Sequence, residues 1–217
     1  MATEGPPLQF IRERVVSANL SSLLPYVAEV IARGGVIAFR TDTFYGLGAN
    51  PFDETAVRRI KDLKGSEEGK PILIVISDLN QVERFIAAQS PEFVRFSQRF
   101  WPGALTLIGA ACPEVPAEVT ADTATIGIRL PADEEVRNLV RACGGALTAT
   151  SANPAARAPS KTAQEVADYF PVGIDLIIDG GVARTDQPST VIDVRETPPR
   201  VIREGVVSRA QLEDALR

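Results

Sequence analysis

A chain of 217 residues with 45% hydrophobic and 24% charged content has the make-up of one sizeable globular domain, not of a fibrous or disordered polymer. No histidine occurs anywhere, which excludes Ser-His-Asp and Cys-His nucleophile sets and the usual zinc sites, and the distant Cys112 and Cys143 suit buried reduced thiols better than a redox pair. The net charge of -5 disfavours nucleic acid over most of the surface, so any RNA contact requires a local basic patch. The longest apolar run, Pro71 to Ile76, falls far short of the roughly 20 residues of a membrane helix. Met1 to Phe10 also lacks the charged start and apolar centre of a signal peptide, so the expectation is a cytoplasmic protein with no membrane contact.

A first helix is expected from about Ser22 to Arg33, with Leu23, Val27, Val30 and Ile31 as its apolar stripe and Gly34 as its stop. It feeds a buried strand from Gly35 to Arg40, which empties into the polar, glycine-interrupted loop Thr41-Asp42-Thr43-Phe44-Tyr45-Gly46-Leu47-Gly48-Ala49-Asn50. Hydroxyls and backbone amides delivered at a strand end can reach a bound anion, although the same residues also suit an ordinary capped turn. The loop is neither a Walker loop, since no Gly-Lys-Ser/Thr opens a helix, nor a dinucleotide fingerprint, since Pro51 stands where a third glycine is needed.

Asp53 is placed to cap a helix carrying Ala56, Val57, Ile60 and Leu63, which Gly65 ends just after Lys64. A strand over Ile72 to Ile76 follows, then Asp78-x-x-Gln81 as a capping box for a helix through Val82, Phe85 and Ile86. Ser90-Pro91 starts a helix that Trp101-Pro102-Gly103 ends, Leu105 to Ile108 forms a strand, and Pro113 to Ala121 reads as an irregular loop. The strand Ala124 to Pro131 carries Arg129 near its end, a side chain suited to two parallel hydrogen bonds with carboxylate or phosphate and equally to a surface salt bridge. A helix from Asp133 to about Cys143 precedes a strand from Ala146, which spills into Thr150-Ser151-Ala152-Asn153-Pro154; Thr162-x-x-Glu165 boxes the next helix. Leu176 to Asp179, Thr190 to Val194 and Val201 to Arg203 are short strands without crossover helices and are expected to pair antiparallel, making the sheet mixed. Ser208-x-x-Gln211 caps a final helix.

Six ordered blocks carry a family resemblance: Thr41 to Asn50 with Lys64-Gly65, Trp101 to Thr106, Ile128 to Pro131, Thr150 to Asn153, Ser189 to Asp193, and Arg203-Glu204-Gly205. The chain resembles the YrdC-type threonylcarbamoyl-AMP synthases from about Ser22 to Val207, in their short form without an additional C-terminal domain. The resemblance implies an α/β fold: a single domain at 21–207 with a twisted, mixed parallel and antiparallel sheet, flanking helices and a large positive cavity. Residues 1–20 are then an N-terminal extension and 208–217 a short C-terminal helix.

It further implies that L-threonine, bicarbonate and ATP give threonylcarbamoyl-AMP and pyrophosphate, with Mg2+ borne by the ATP and no metal site on the protein. The product then passes to a separate threonylcarbamoyl transferase complex that modifies position 37 of certain tRNAs, and weak tRNA or other RNA contact is possible for such a protein. Matched by motif, Thr43, Arg129, Ala149 and Ser189 face threonine, while Lys64, Ser66, Lys70, Thr125, Ser151, Asn153, Ser160 and Arg203 face ATP; Lys64 and Arg129 are the catalytic pair. The family's Lys-x-Arg signature reads Lys64-Gly65-Ser66, a neutral hydroxyl where a second cation is expected. Two other readings are a carbamoyl-transfer relative that uses carbamoyl phosphate and a catalytically weak RNA-binding relative.

Overall fold

The computed structural model describes residues 14–16, 20–65 and 69–217. In chain order its elements are β1 (Val15–Val16), α1 (Leu20–Ala32), β2 (Ile37–Arg40), β3 (Tyr45–Gly48), α2 (Glu54–Lys64), β4 (Ile74–Ile76), a 3-10 helix (Leu79–Arg84), α3 (Pro91–Phe100) and β5 (Leu105–Ala110). There follow α4 (Ala117–Thr120), β6 (Thr125–Arg129), α5 (Glu134–Ala142), β7 (Ala146–Thr148), β8 (Thr150–Ser151), α6 (Ala163–Tyr169), β9 (Leu176–Ile178), β10 (Thr190–Asp193), β11 (Arg200–Arg203) and α7 (Arg209–Ala215). The strands are mixed, as expected, but they divide between two sheets, in the orders β1-β9-β2-β3-β8 and β11-β10-β5-β6-β4-β7.

Local chemistry sets most helix ends where the sequence places them. Asp53 accepts the Ala56 amide at the start of α2, and Gly65 ends that helix at φ 70°, a left-handed conformation that glycine adopts without penalty. Ser90 caps α3 ahead of Pro91, and Ser208 with Gln211 completes a reciprocal capping box on α7.

Four expectations are corrected. Asp78 makes no cap; both its oxygens take the Arg141 guanidinium, at 2.8 and 3.1 Å, and the segment it precedes winds as a 3-10 helix. The loop after Pro113 contains the short α4. At α6 the Thr162 side chain does accept the Glu165 amide, but the Glu165 carboxylate turns to the Lys161 amide and the box stays open. Finally, β9 and β10 do not pair with each other. Each lies parallel to an earlier strand of its own sheet, β9 beside β2 and β10 beside β5, and of the three last strands β10 and β11 alone pair antiparallel. The connection after β9 needs no crossover helix because it passes from one sheet to the other.

The expected strand from Ala146 likewise splits. β7 pairs with β4 in the second sheet, whereas β8 pairs with β3 in the first. Ala149 is the crossing residue: its amide donates to Leu73 O at 2.7 Å, while the preceding Thr148 donates its amide to Ala49 O at 3.0 Å and accepts the Ala49 amide on its hydroxyl. The two sheets are thereby sewn together beside the β2–β3 hairpin.

Period-two alternation divides β2 between two cores: Ile37 and Phe39 pack with α1 and α5 (Leu23, Val27, Val136, Leu139), while Val36 and Ala38 face the larger cluster around α2 and α3. Both faces of this strand are buried, so its carboxyl end opens at the junction of the two sheets.

Candidate functional site

The turn that leaves β2 is built by its own hydroxyls. Thr41 Oγ1 accepts the Thr43 amide at 3.1 Å and donates to Phe44 O at 2.7 Å. A hydroxyl has one proton to give, so in the 3.1 Å contact between the two threonine hydroxyls Thr43 is the donor, which leaves its lone pairs to accept from a ligand. Asp42, at the apex, lies with Oδ1 2.9 Å from Arg129 Nη1 at the end of β6.

Lys64, in the last turn of α2, is buried, and its ammonium donates to Ser151 O at 2.7 Å and Asn153 O at 2.9 Å. These bonds hold the loop after β8 against the helix end. The Asn153 amide nitrogen continues the loop's bonding to Pro154 O and Arg157 O, and its Oδ1 is buried without a hydrogen-bond partner. From the second sheet, Arg203 reaches Ser189 O at 2.9 Å and Ser189 Oγ at 3.2 Å, and Ser189 in turn meets the Thr106 hydroxyl at 3.1 Å. Desolvation, and after it the charge of Arg129, hold the Arg203 guanidinium below its usual range, although part of the side chain remains open to solvent.

These groups surround one cavity of about 590 Å3. Its walls come from both sheets and the end of α2, and they include Thr43, Lys64, Lys70, Arg129, Ala149, Ser151, Asn153, Ser189 and Arg203. Four cationic side chains stand there against the single acid Asp186, so the cavity is positive, although the chain as a whole is acidic.

Two of the sequence-derived candidates stand elsewhere, and a third is not described. Thr125 lies at the opposite end of β6 from Arg129, bonded to the Thr123 hydroxyl at 2.8 Å. Ser160 is buried behind the wall, where its hydroxyl donates to Ala152 O and its carbonyl accepts the Tyr45 amide at 3.1 Å. Ser66 lies outside the described residues. Conversely, Thr41, Thr106 and Asp186 line the cavity and were not singled out. Thr106 had a readable signal, a hydroxyl in the otherwise apolar strand Leu105 to Ile108.

Two sheets that meet over a cationic, hydroxyl-lined hollow define an α/β domain able to hold carboxylate and phosphate groups side by side. The chain belongs to the Sua5/YciO/YrdC family, whose model, described as "Telomere recombination", matches residues 29–205. It is 36% identical over 207 residues to the threonylcarbamoyl-AMP synthase of Pyrococcus abyssi, which covers 95% of this chain and 59% of the relative. It is 35% identical over 170 residues to the enzyme of the same name from Thiobacillus denitrificans, with 78% and 90% covered. The crystal structure of P. abyssi Sua5 complexed with L-threonine superposes with a TM-score of 0.87 at 35% identity, over 93% of this chain and 59% of that one. The chain thus spans about three fifths of the length of the Pyrococcus relative. Among the described residues no helix is long and apolar enough to cross a membrane.

Proposed function

We propose that this chain is a threonylcarbamoyl-AMP synthase, forming threonylcarbamoyl-AMP and pyrophosphate from L-threonine, bicarbonate and ATP. The observation that carries the reading is that the amino-acid candidates (Thr43, Arg129, Ala149, Ser189) and the nucleotide candidates (Lys64, Lys70, Ser151, Asn153, Arg203) line one cavity, each set drawing on both sheets.

Threonine's amine captures bicarbonate as a carbamate with loss of water; a carbamate oxygen then attacks the α-phosphorus of ATP, and pyrophosphate leaves. No protein nucleophile is required, in keeping with a chain that has no histidine. What the protein supplies is position and fixed charge. In this reading Arg129 receives the threonine carboxylate, Thr43 accepts a hydrogen bond from the same substrate, and Lys64, anchored on Ser151 O and Asn153 O, sets a cation beside the phosphates. Ser160 acts through the loop it holds.

Magnesium would travel with the nucleotide and screen the phosphate charge. Phosphate oxygens and water are its expected ligands. The reading places the protein in the cytoplasm, upstream of a threonylcarbamoyl transferase complex acting on tRNA, with at most weak RNA contact of its own.

The test is pyrophosphate release by the purified chain. Release that requires both threonine and bicarbonate supports the proposal. Turnover with carbamoyl phosphate in their place, or retention of RNA with no turnover, overturns it.

A further inference from the structure

We propose that Asp42 is a positioning residue that aims Arg129 into the cavity; the proposal rests on the assignment of Arg129 to the amino acid's carboxylate. Asp42 is not among the residues that line the cavity. It approaches Arg129 from the turn between β2 and β3, whereas Arg129 projects from the second sheet, so the pair spans the junction of the two sheets.

The geometry is that of an aiming contact, not of a locked one. Oδ1 and Nη1 are 2.9 Å apart, both side chains are about nine-tenths buried, and yet neither atom completes an aligned hydrogen bond. An aligned bidentate fork would commit two guanidinium N–H groups to Asp42. The observed contact holds the charge in place by Coulomb attraction without committing the guanidinium fork to Asp42, and Arg129 still lines the cavity, where a carboxylate can meet it. The other oxygen, Oδ2, accepts the Ala132 amide at 3.3 Å, tying the turn to the segment that leads into α5. Asp42 is therefore braced on one side and directs Arg129 on the other.

Arg129 also needs a counter-charge. Its charge is felt at Arg203, across the same cavity, so the two guanidinium groups repel each other. Without Asp42 that repulsion acts unopposed on the side chain that must meet the carboxylate. Thr43 follows Asp42 directly in the turn, so one three-residue turn sets both the acceptor and, through the ion pair, the cation on the amino-acid side.

Asp42→Asn and Asp42→Glu in the full chain test this, with steady-state pyrophosphate release measured against threonine and against ATP. Expected for Asp42→Asn is a threonine KM raised about tenfold or more, the scale on which loss of an orienting partner weakens a binding group, with the ATP KM within about twofold. Asp42→Glu should recover part of that loss. Equal rises in both KM values, a lower kcat at unchanged threonine KM, or no recovery with Glu overturns the proposal. A second readout does not depend on turnover: the 15N side-chain resonance of Arg129 in the ligand-free protein, assigned through Arg129→Lys. It should shift or broaden in Asp42→Asn, and an unchanged resonance overturns the role of Asp42. A wild-type chain without threonine-dependent turnover would sink the synthase reading instead and leave the resonance to judge this one.

Discussion

Lys64→Met separates what Lys64 does for the fold from what it does for chemistry. Methionine matches the length of the apolar stem but has no donor, so the carbonyls of Ser151 and Asn153 lose their partners at 2.7 and 2.9 Å. A hydrogen bond to a charged group is worth roughly 1.5–3 kcal/mol net, so the two together bring about 3–6 kcal/mol. Removing a buried ammonium gives part of this back, since that charge no longer has to be desolvated, and about 2–4 kcal/mol of destabilisation should remain. At roughly 2–4 °C per kcal/mol for a chain of this size, the melting temperature should fall by about 5–15 °C. Independently, loss of a preorganised cation beside developing phosphate charge should lower kcat by about a hundredfold to a thousandfold. Differential scanning fluorimetry and pyrophosphate release read the two effects. A melting temperature unchanged within about 2 °C would mean that the ammonium does not bind these carbonyls, and unchanged turnover in a stably folded variant would remove Lys64 from the chemistry.

Arg129→Ala should raise the threonine KM far more than the ATP KM, and equal effects in a substrate-saturation series would place the residue wrongly. Gly205→Ala should destabilise the fold by about 2 kcal/mol or more, since a Cβ there would lie 2.1 Å from Pro188 O and 2.9 Å from Ser189 C, backbone atoms that cannot yield. A lowered midpoint of urea unfolding would register this, together with a raised threonine KM through displaced Ser189. Burial, opposed by the Gly180 amide's hydrogen bond, pushes the Tyr45 phenol up to about 12, against about 10 when unfolded. The folded state then holds its proton more tightly, so the stabilisation is complete below about pH 10 and is lost as the pH rises towards 12. Tyr45→Phe should flatten that part of a stability-versus-pH curve, and an unaltered decline would show that Tyr45 is not its source.

How far the sequence could be read depended on whether the deciding interaction was local. Helix ends at Asp53, Gly65, Ser90 and Ser208 follow from bonds closed within three or four residues, and each was readable. The division into two sheets was not. It is decided at Ala149, whose amide finds Leu73 rather than a neighbour in the chain, and nothing in Ala146 to Asn153 announces a change of partner. Asp78 shows the same limit on a smaller scale: its spacing to Gln81 fits a capping box, but Arg141, brought close by α5, offers a charged partner that outcompetes a backbone amide.

The site repeats this division. Polar residues stand out where an apolar run stops, which drew notice to Thr43, Arg129 and Ser151 before their meeting place was known, whereas Arg203 was named only through the family resemblance. Residues whose part depends on a partner far away in the chain gave weaker signals. Asp42 reads as an ordinary turn carboxylate until Arg129 comes within 2.9 Å, and Thr106 as strand filling until Ser189 meets its hydroxyl at 3.1 Å. The crossing at Ala149 that hid the sheet arrangement is also what brings Lys64 and Arg129, borne on elements of different layers, to one hollow. Moving that crossing by one residue would turn each following side chain in β8 to the opposite face and take Ser151 off the cavity wall.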